Sequence, residues 1–171
     1  MAKAETCVNY PFWTPLLSLL LSLAIYTLGA SILSGFGPIA IALYIIYCLW
    51  VEYRVIRRSC PNCYYYGKPC GLGRGLIAPL FGKKGDPKLF TAREVGWKDL
   101  IPDLLVMMVP LLGGIIYLCL HFNFVTVGLL IAIAVLALPC TGFMRGCLLC
   151  PNCKQRELGC PAEKWFGKNK R

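Results

Sequence analysis

Cys60-Pro61-Asn62-Cys63 is followed, after six intervening residues, by Cys70, and Cys150-Pro151-Asn152-Cys153, after six intervening residues, by Cys160. A C-x2-C turn sets two sulfurs on one side of a tight loop. That is half of a tetrahedral site for an ion held at sulfur–metal distances near ~2.3 Å. The five shared positions repeat at an offset of 90 residues, so the turns read as copies of one device. Neither C-P-N-C turn alone supplies four thiolates; together they do. Cys147 extends the second copy to C-x2-C-x2-C. The candidate metal ligands are therefore Cys60, Cys63, Cys70, Cys147, Cys150, Cys153 and Cys160.

Three chemistries compete for these thiols. Structural disulfides fit poorly, because the charge distribution described below puts the cysteines in a reducing compartment and their total, 11, is odd. A redox-active pair requires an exposed thiol of lowered pKa, for which Arg57, Arg58 and Lys68 are the nearby cations. Metal binding explains the duplicated spacing best.

The paired C-P-x-C turns resemble the knuckles of zinc ribbons and rubredoxins, with Tyr64 and Lys154 where those families carry glycine. That resemblance implies one zinc on Cys60, Cys63, Cys150 and Cys153. The C-x2-C-x6-C spacing, twice, resembles the two-zinc, six-cysteine cluster of fungal transcription factors and implies all six repeat cysteines as ligands. The likeness ends with the spacing, and no nucleic-acid partner is expected. Cys147, Cys150 and Cys153, with Cys160-Pro161 beyond, resemble a bacterial ferredoxin run whose last gap is six residues rather than three. Structural zinc is the favoured cofactor and an iron–sulfur cluster the alternative. A zinc on four thiolates carries a net negative charge that needs cations or N–H donors around it; Arg57, Arg58, Lys68, Lys154 and Arg156 lie within a few residues of a candidate ligand.

Long apolar helices must position these turns. No Asp, Glu, Lys or Arg occurs in the 45 residues from Cys7 to Val51, nor in the 41 from Leu104 to Met144. One crossing takes about 20 apolar residues, so each run holds two. The breaks fall at Ser34-Gly35-Phe36-Gly37-Pro38 and His121-Phe122-Asn123. The predicted helices are about Phe12–Ile32, Phe36–Tyr53, Ile101–Leu120 and Phe124–Met144. The fold class is an all-α membrane protein with four transmembrane helices, arranged as two tandem hairpins that are each followed by a cytoplasmic cysteine knuckle. Residues 1–90 form the first repeat and residues 91–171 the second. Like-oriented repeats can bring both knuckles together on one membrane face.

Charge orients the chain. Ten Lys and Arg lie from Arg54 to Lys98 and seven from Arg145 to Arg171, while the two short turns carry none. Retention of these cations on the inner side places both termini and the middle loop in the cytoplasm, and the protein in the cytoplasmic membrane with no cleavable signal peptide. Its surroundings are a bilayer with anionic headgroups and a protein partner or a second copy.

The remaining cytoplasmic segments read as follows. Gly71-Leu72-Gly73-Arg74-Gly75 is a flexible turn after the first knuckle; its glycines could admit an anion, but it matches no nucleotide-binding fingerprint. Leu76 to Phe81 can dip into the lipid interface, and Lys83-Lys84 reads as a surface turn facing headgroups. Thr91 and Glu94 form a capping-box pattern for a short interfacial helix through Trp97 and Lys98, and Asp103 belongs to the first turn of the third crossing. Tyr64-Tyr65-Tyr66 reads as packing over the metal site rather than a partner patch. Trp165 and Phe166 suggest a tail lying on the membrane. Within the helices, Ser18/Ser22 and Gly128/Ala132 suit close packing, Pro110 and Gly113-Gly114 a kink, and Cys48 and Cys119 buried packing. Cys7 reads as free or lipidated.

The crossings lack the mid-membrane ionisable groups typical of pumps. One histidine, His121, excludes two-histidine haem ligation within a chain, and no compact Ser/His/Asp set offers nucleophilic catalysis. No catalytic residue is assigned. The sequence therefore points to a membrane subunit or anchor with a cytoplasmic thiolate metal site. The alternatives are an iron–sulfur electron-transfer subunit, and a thiol–disulfide oxidoreductase similar in helix count to the four-helix quinone-linked enzymes.

Overall fold

A computed structural model describes residues 7–92 and 96–160. Thr91 and Trp97 fall within the described residues; Arg93, Glu94, Trp165 and Phe166 lie outside them. The described chain is helical, with no strand and a single isolated bridge between Cys7 and Cys153.

Four helical segments are long and apolar enough to cross a membrane: Trp13–Phe36, Pro38–Ser59, Trp97–Leu120 and Phe124–Leu149. The first comprises α1 (Trp13–Leu33) and a tight 3-10 turn to Phe36. Gly37 stops it by adopting φ +98°, which its missing Cβ permits, and bonds its N–H to Ser34 O at 3.1 Å. Proline at the next position starts α2 (Pro38–Ser59), where a missing N–H costs nothing.

α2 runs six residues past the predicted end at Tyr53. Charge stops lipid burial there but not the helix: Ile56 stays buried, while Arg57 and Arg58 point to solvent in the last turn, where cations suit the carbonyl end of the dipole.

The short helices α3 (Ala78–Phe81) and α4 (Pro87–Ala92) precede α5 (Trp97–Leu120). α5 starts four residues before the predicted Ile101, so Trp97 and Lys98 belong to the crossing helix and not to a separate interfacial one. Gly96 precedes it in extended backbone, and the first-turn acid is Asp99 rather than Asp103. Thr91 does not cap it. Thr91 sits inside α4, and its hydroxyl donates to Leu158 O at 2.9 Å.

α6 (Phe124–Val135) begins where the Asn123 side chain accepts the Val125 N–H at 2.9 Å. It continues through a π-helical turn, Leu136–Cys140, around Pro139 and a second π segment, Met144–Leu149. A wider turn accommodates a ring that cannot donate. The Thr141 hydroxyl takes the Leu136 carbonyl at 2.9 Å.

The chain divides into two compact units, and each draws on both halves of the sequence. One comprises Leu20–Glu52 and Gly96–Thr141. Its core holds Leu33, Tyr44, Cys48, Val51 and Val106. Pro110 cannot donate to the carbonyl four residues back, that of Val106, and the Tyr44 hydroxyl takes that carbonyl at 3.0 Å. Glycine gives the close approaches: a Cβ at Gly114 would strike Ile32 and Leu130, and one at Gly29 the Tyr44 ring. Gly128 faces open space, so the predicted Gly128/Ala132 packing position is not used. Cys48 is buried as expected, but Cys119 is exposed on α5. Glu52, just outside the uncharged run, accepts from the Tyr26 hydroxyl at 2.5 Å. Many large apolar side chains point outward, among them Leu43, Ile46, Leu112, Ile116 and Phe124. Water does not tolerate so continuous an apolar surface; lipid does.

Candidate metal centre

The other unit comprises Met1–Leu19, Tyr53–Val95 and Gly142–Arg171, and it contains all seven candidate ligands. In the first turn the Cys63 N–H bonds to Cys60 O at 3.1 Å, and the Tyr66 N–H to Cys63 O at 3.1 Å. In the second turn the Cys153 N–H bonds to Cys150 O at 3.4 Å, and the Arg156 N–H to Cys153 O at 3.0 Å. Donors and acceptors correspond at the 90-residue offset. The like sequences thus fold into like turns, each tightened by a proline second in the C-P-N-C run.

The two turns lie side by side. Gln155, only 2% exposed, accepts the Tyr64 N–H on Oε1 at 2.8 Å. The Tyr65 hydroxyl accepts the Lys154 N–H at 3.0 Å and donates to Cys7 O at 2.5 Å. The Cys7 N–H in turn bonds to Asn152 O at 2.8 Å. Tyr10, Tyr65 and Leu149 form a small buried core, and Cys7, Cys63, Cys70 and Cys153 pack against it. The Tyr10 hydroxyl closes that core on Leu149 O at 2.6 Å.

Tyr65 is therefore a buried clasp, and the tyrosine run packs as the sequence suggests. Tyr64 stands edge-on to Tyr65, and Tyr66 donates to Gly82 O at 2.6 Å.

The glycine run wraps Cys70. A Cβ at Gly75 would strike the carbonyls of Tyr65 and Lys68, and this close approach lets the Gly75 N–H reach Cys70 Sγ at 3.1 Å. Gly73 takes φ +76° against the start of α1. Ser18, expected in a small-residue helix contact, donates instead to Gly71 O at 2.6 Å. The Lys83-Lys84 turn is exposed, but its neighbour Gly85 bonds to Pro61 O of the first turn at 2.9 Å.

Burial pushes the Cys63 thiol up. The Tyr65 and Tyr64 amides oppose this at the sulfur, and Cys70 and Cys160 add to it. Cys153 is pushed up to about 11 by burial, opposed by the Gln155 and Arg156 amides and reinforced by Cys63 and Cys160. Burial also raises Cys150, with Cys160 adding to it and Arg145 and Arg156 opposing. Burial raises the phenols of Tyr10 and Tyr65 as well. Raised values are the reverse of what an attacking thiol requires. A cation among these thiols would invert the effect.

Of the five cations expected near the ligands, Arg156 acts on Cys150, together with Arg145, which the sequence reading did not single out. Lys154 pairs with Glu157 at 2.6 Å, Lys68 lies over the Tyr64 ring, and Arg57 over the Tyr53 ring.

The turns thus place Cys63, Cys70 and Cys153 against one small buried core. Cys60 closes α2 by bonding its N–H to Ile56 O at 3.3 Å. Cys147 is exposed in the π segment before Cys150. The sequence missed Cys7, Tyr10 and Gln155, single residues with no spacing to mark them. The donor chemistry suits a thiophilic cation: half-buried thiols, amides aimed at sulfur and arginines alongside. Among the described residues, however, no group of three or more His, Cys, Asp or Glu could hold a metal ion.

Comparison with protein-family models, curated proteins and solved structures gives no match.

Proposed function

We propose that this chain is a multi-pass protein of the cytoplasmic membrane, a subunit or anchor of a larger assembly, whose cytoplasmic cysteine unit binds structural zinc through thiolates. The observation that carries the reading is the docking of the two C-P-N-C turns through Tyr64 and Gln155, with backbone amides aimed at Cys63 and Cys153. N–H donors directed at sulfur stabilise a thiolate and bring no reactive partner.

The cation excess supports a cytoplasmic position for both termini and for the middle loop. Exposed Leu76, Leu80 and Phe81 beside exposed Lys83 and Lys84 suit an anionic bilayer surface. The tandem-hairpin reading draws on the α1–α2 and α5–α6 connections, each only a few residues long.

Zinc is preferred over an iron–sulfur cluster because Cys147, which gave the ferredoxin-like run, is exposed on a helical segment. It is preferred over thiol–disulfide chemistry because Cys63, Cys150 and Cys153 are shifted away from reactivity. Elemental analysis of anaerobically purified protein, prepared in detergent without chelator, tests this. About one or two zinc per chain is expected. Absence of metal contradicts metal binding, and brown protein containing iron and sulfide contradicts zinc.

A further inference from the structure

We infer that the segment 72–81 is embedded in the lipid leaflet beside the cysteine unit, and that Lys83 and Lys84 take the phosphates of anionic lipids there. The inference rests on the membrane reading and deepens it by naming the occupant of this face. It is independent of any metal.

Contacts at both ends of the segment set it at the level of the crossing helices. All of them lie within the cysteine unit, which includes the start of α1 and the last turns of α2. The Ser18 hydroxyl donates to Gly71 O at 2.6 Å. Ser18 is the sixth residue of α1, about 8 Å along the helix axis from Trp13 and well inside the first uncharged run. Gly73 lies against the same stretch: a Cβ there would come within 3.3 Å of Pro15 O and 3.9 Å of the Leu19 side chain. At the other end Phe81 meets the Tyr53 ring edge-on, with 5.8 Å between centroids. Tyr53 is the second residue past the uncharged run on α2. A segment tied in this way to the margins of two crossings runs along the lipid boundary.

Its outer face suits that position. Ala78 faces inward at 1% exposed, while Leu72, Leu76, Ile77, Leu80 and Phe81 face outward, Leu80 at 79%. Five large apolar side chains within ten residues make a patch that marks a contact with lipid or protein. Charge selects the lipid. Residues 53–92 carry eight Lys and Arg against one acid, Asp86, and the Asp86 carboxylate accepts the Lys88 N–H at 2.9 Å. A second copy seated on this face would bring like charges together, whereas an anionic leaflet brings the opposite sign. Lys83 and Lys84 are exposed directly after the patch. Their long stems can lie along the apolar layer while the ammonium groups reach the phosphates.

The embedded segment is also fastened to the first cysteine turn. Gly82 O accepts the Tyr66 hydroxyl at 2.6 Å, and the Gly85 N–H bonds to Pro61 O at 2.9 Å. The leaflet thereby holds the first C-P-N-C turn at a fixed height against the bilayer.

The test is photo-crosslinking of the full-length protein in vesicles of phosphatidylcholine and phosphatidylglycerol. The photoreactive p-benzoylphenylalanine replaces Leu80 or, as a reference, Leu112, which points outward on α5, and adducts are identified by mass spectrometry. Lipid adducts are expected at both positions. Lipid adducts at position 112 with none at 80, or with position 80 joined to a second copy, overturn the embedding and leave the membrane reading standing. No lipid adduct at 112 overturns the membrane reading as well. Native mass spectrometry of protein extracted from the same vesicles is the second readout. The wild-type chain should retain phosphatidylglycerol over phosphatidylcholine, and the Lys83→Gln/Lys84→Gln variant should lose that preference by about fivefold per lysine. Equal retention of the two lipids by the wild type, or a preference unchanged in the variant, overturns the role given to the lysines.

Discussion

The Tyr64 amide donates to Gln155 Oε1 at 2.8 Å, although 91 residues separate the two in sequence. This bond joins the first cysteine turn to the second, at a side chain almost wholly withdrawn from solvent. Buried polar groups are costly when left unmade. Gln155→Leu, close in size and without hydrogen-bonding atoms, strands the Tyr64 N–H and should destabilise the protein by about 1–3 kcal/mol. Thermal unfolding in detergent reads the loss. Accelerated zinc transfer to a chelator should accompany it, because the same side chain reaches the turn that carries Cys160.

Tyr65 holds the same junction by a different bond. Its hydroxyl joins Cys7 O to the Lys154 N–H. Tyr65→Phe keeps the ring in its core but removes both links, at a cost of about 1–3 kcal/mol. Amide hydrogen exchange at Lys154 should speed up, while exchange in the membrane-spanning helices stays unchanged.

Pro110 frees the Val106 carbonyl, and Tyr44 takes it. Tyr44→Phe leaves an acceptor unpaired inside an apolar bundle and should lower stability by about 1–3 kcal/mol. In a Pro110→Ala background the helix supplies its own N–H to that carbonyl, so the same change should cost less. A double-mutant cycle measures the difference, and equal costs in the two backgrounds would contradict the pairing.

Proton competition follows from the thiol shifts. Cys153 is pushed from 9.0 to about 11, so it is protonated at neutral pH when no metal is bound. Each thiol that binds must release its proton. Zinc affinity should therefore climb with pH, by about tenfold per unit for each proton displaced. Competition with a chromophoric chelator at several pH values gives the slope. The metal-free fold should behave oppositely. Its thiol stays protonated where the unfolded chain's ionises, so the stability it contributes is complete below pH 9 and is lost as pH rises towards 11.

The apolar runs made the four crossings legible, because lipid burial leaves composition few options. The helix ends were less so. Glu52 ends the uncharged run, but the helix continues past it to Ser59 once its outer face can meet water. Thr91 carried a capping pattern, yet its hydroxyl went to carbonyls 67 and 68 residues away. The duplicated cysteine spacing announced the paired turns, since a repeat of type and interval leaves a trace in one dimension. Cys7, Tyr10 and Gln155 left none. Each acts through a single bond or packing contact that exists only once distant segments have docked.

X-ray absorption at the zinc edge, on full-length protein purified anaerobically, tests the centre most directly. One shell of about four sulfur scatterers near ~2.3 Å is the predicted result. A zinc edge dominated by nitrogen or oxygen, or protein that carries no zinc, contradicts a thiolate centre built from both halves of the chain.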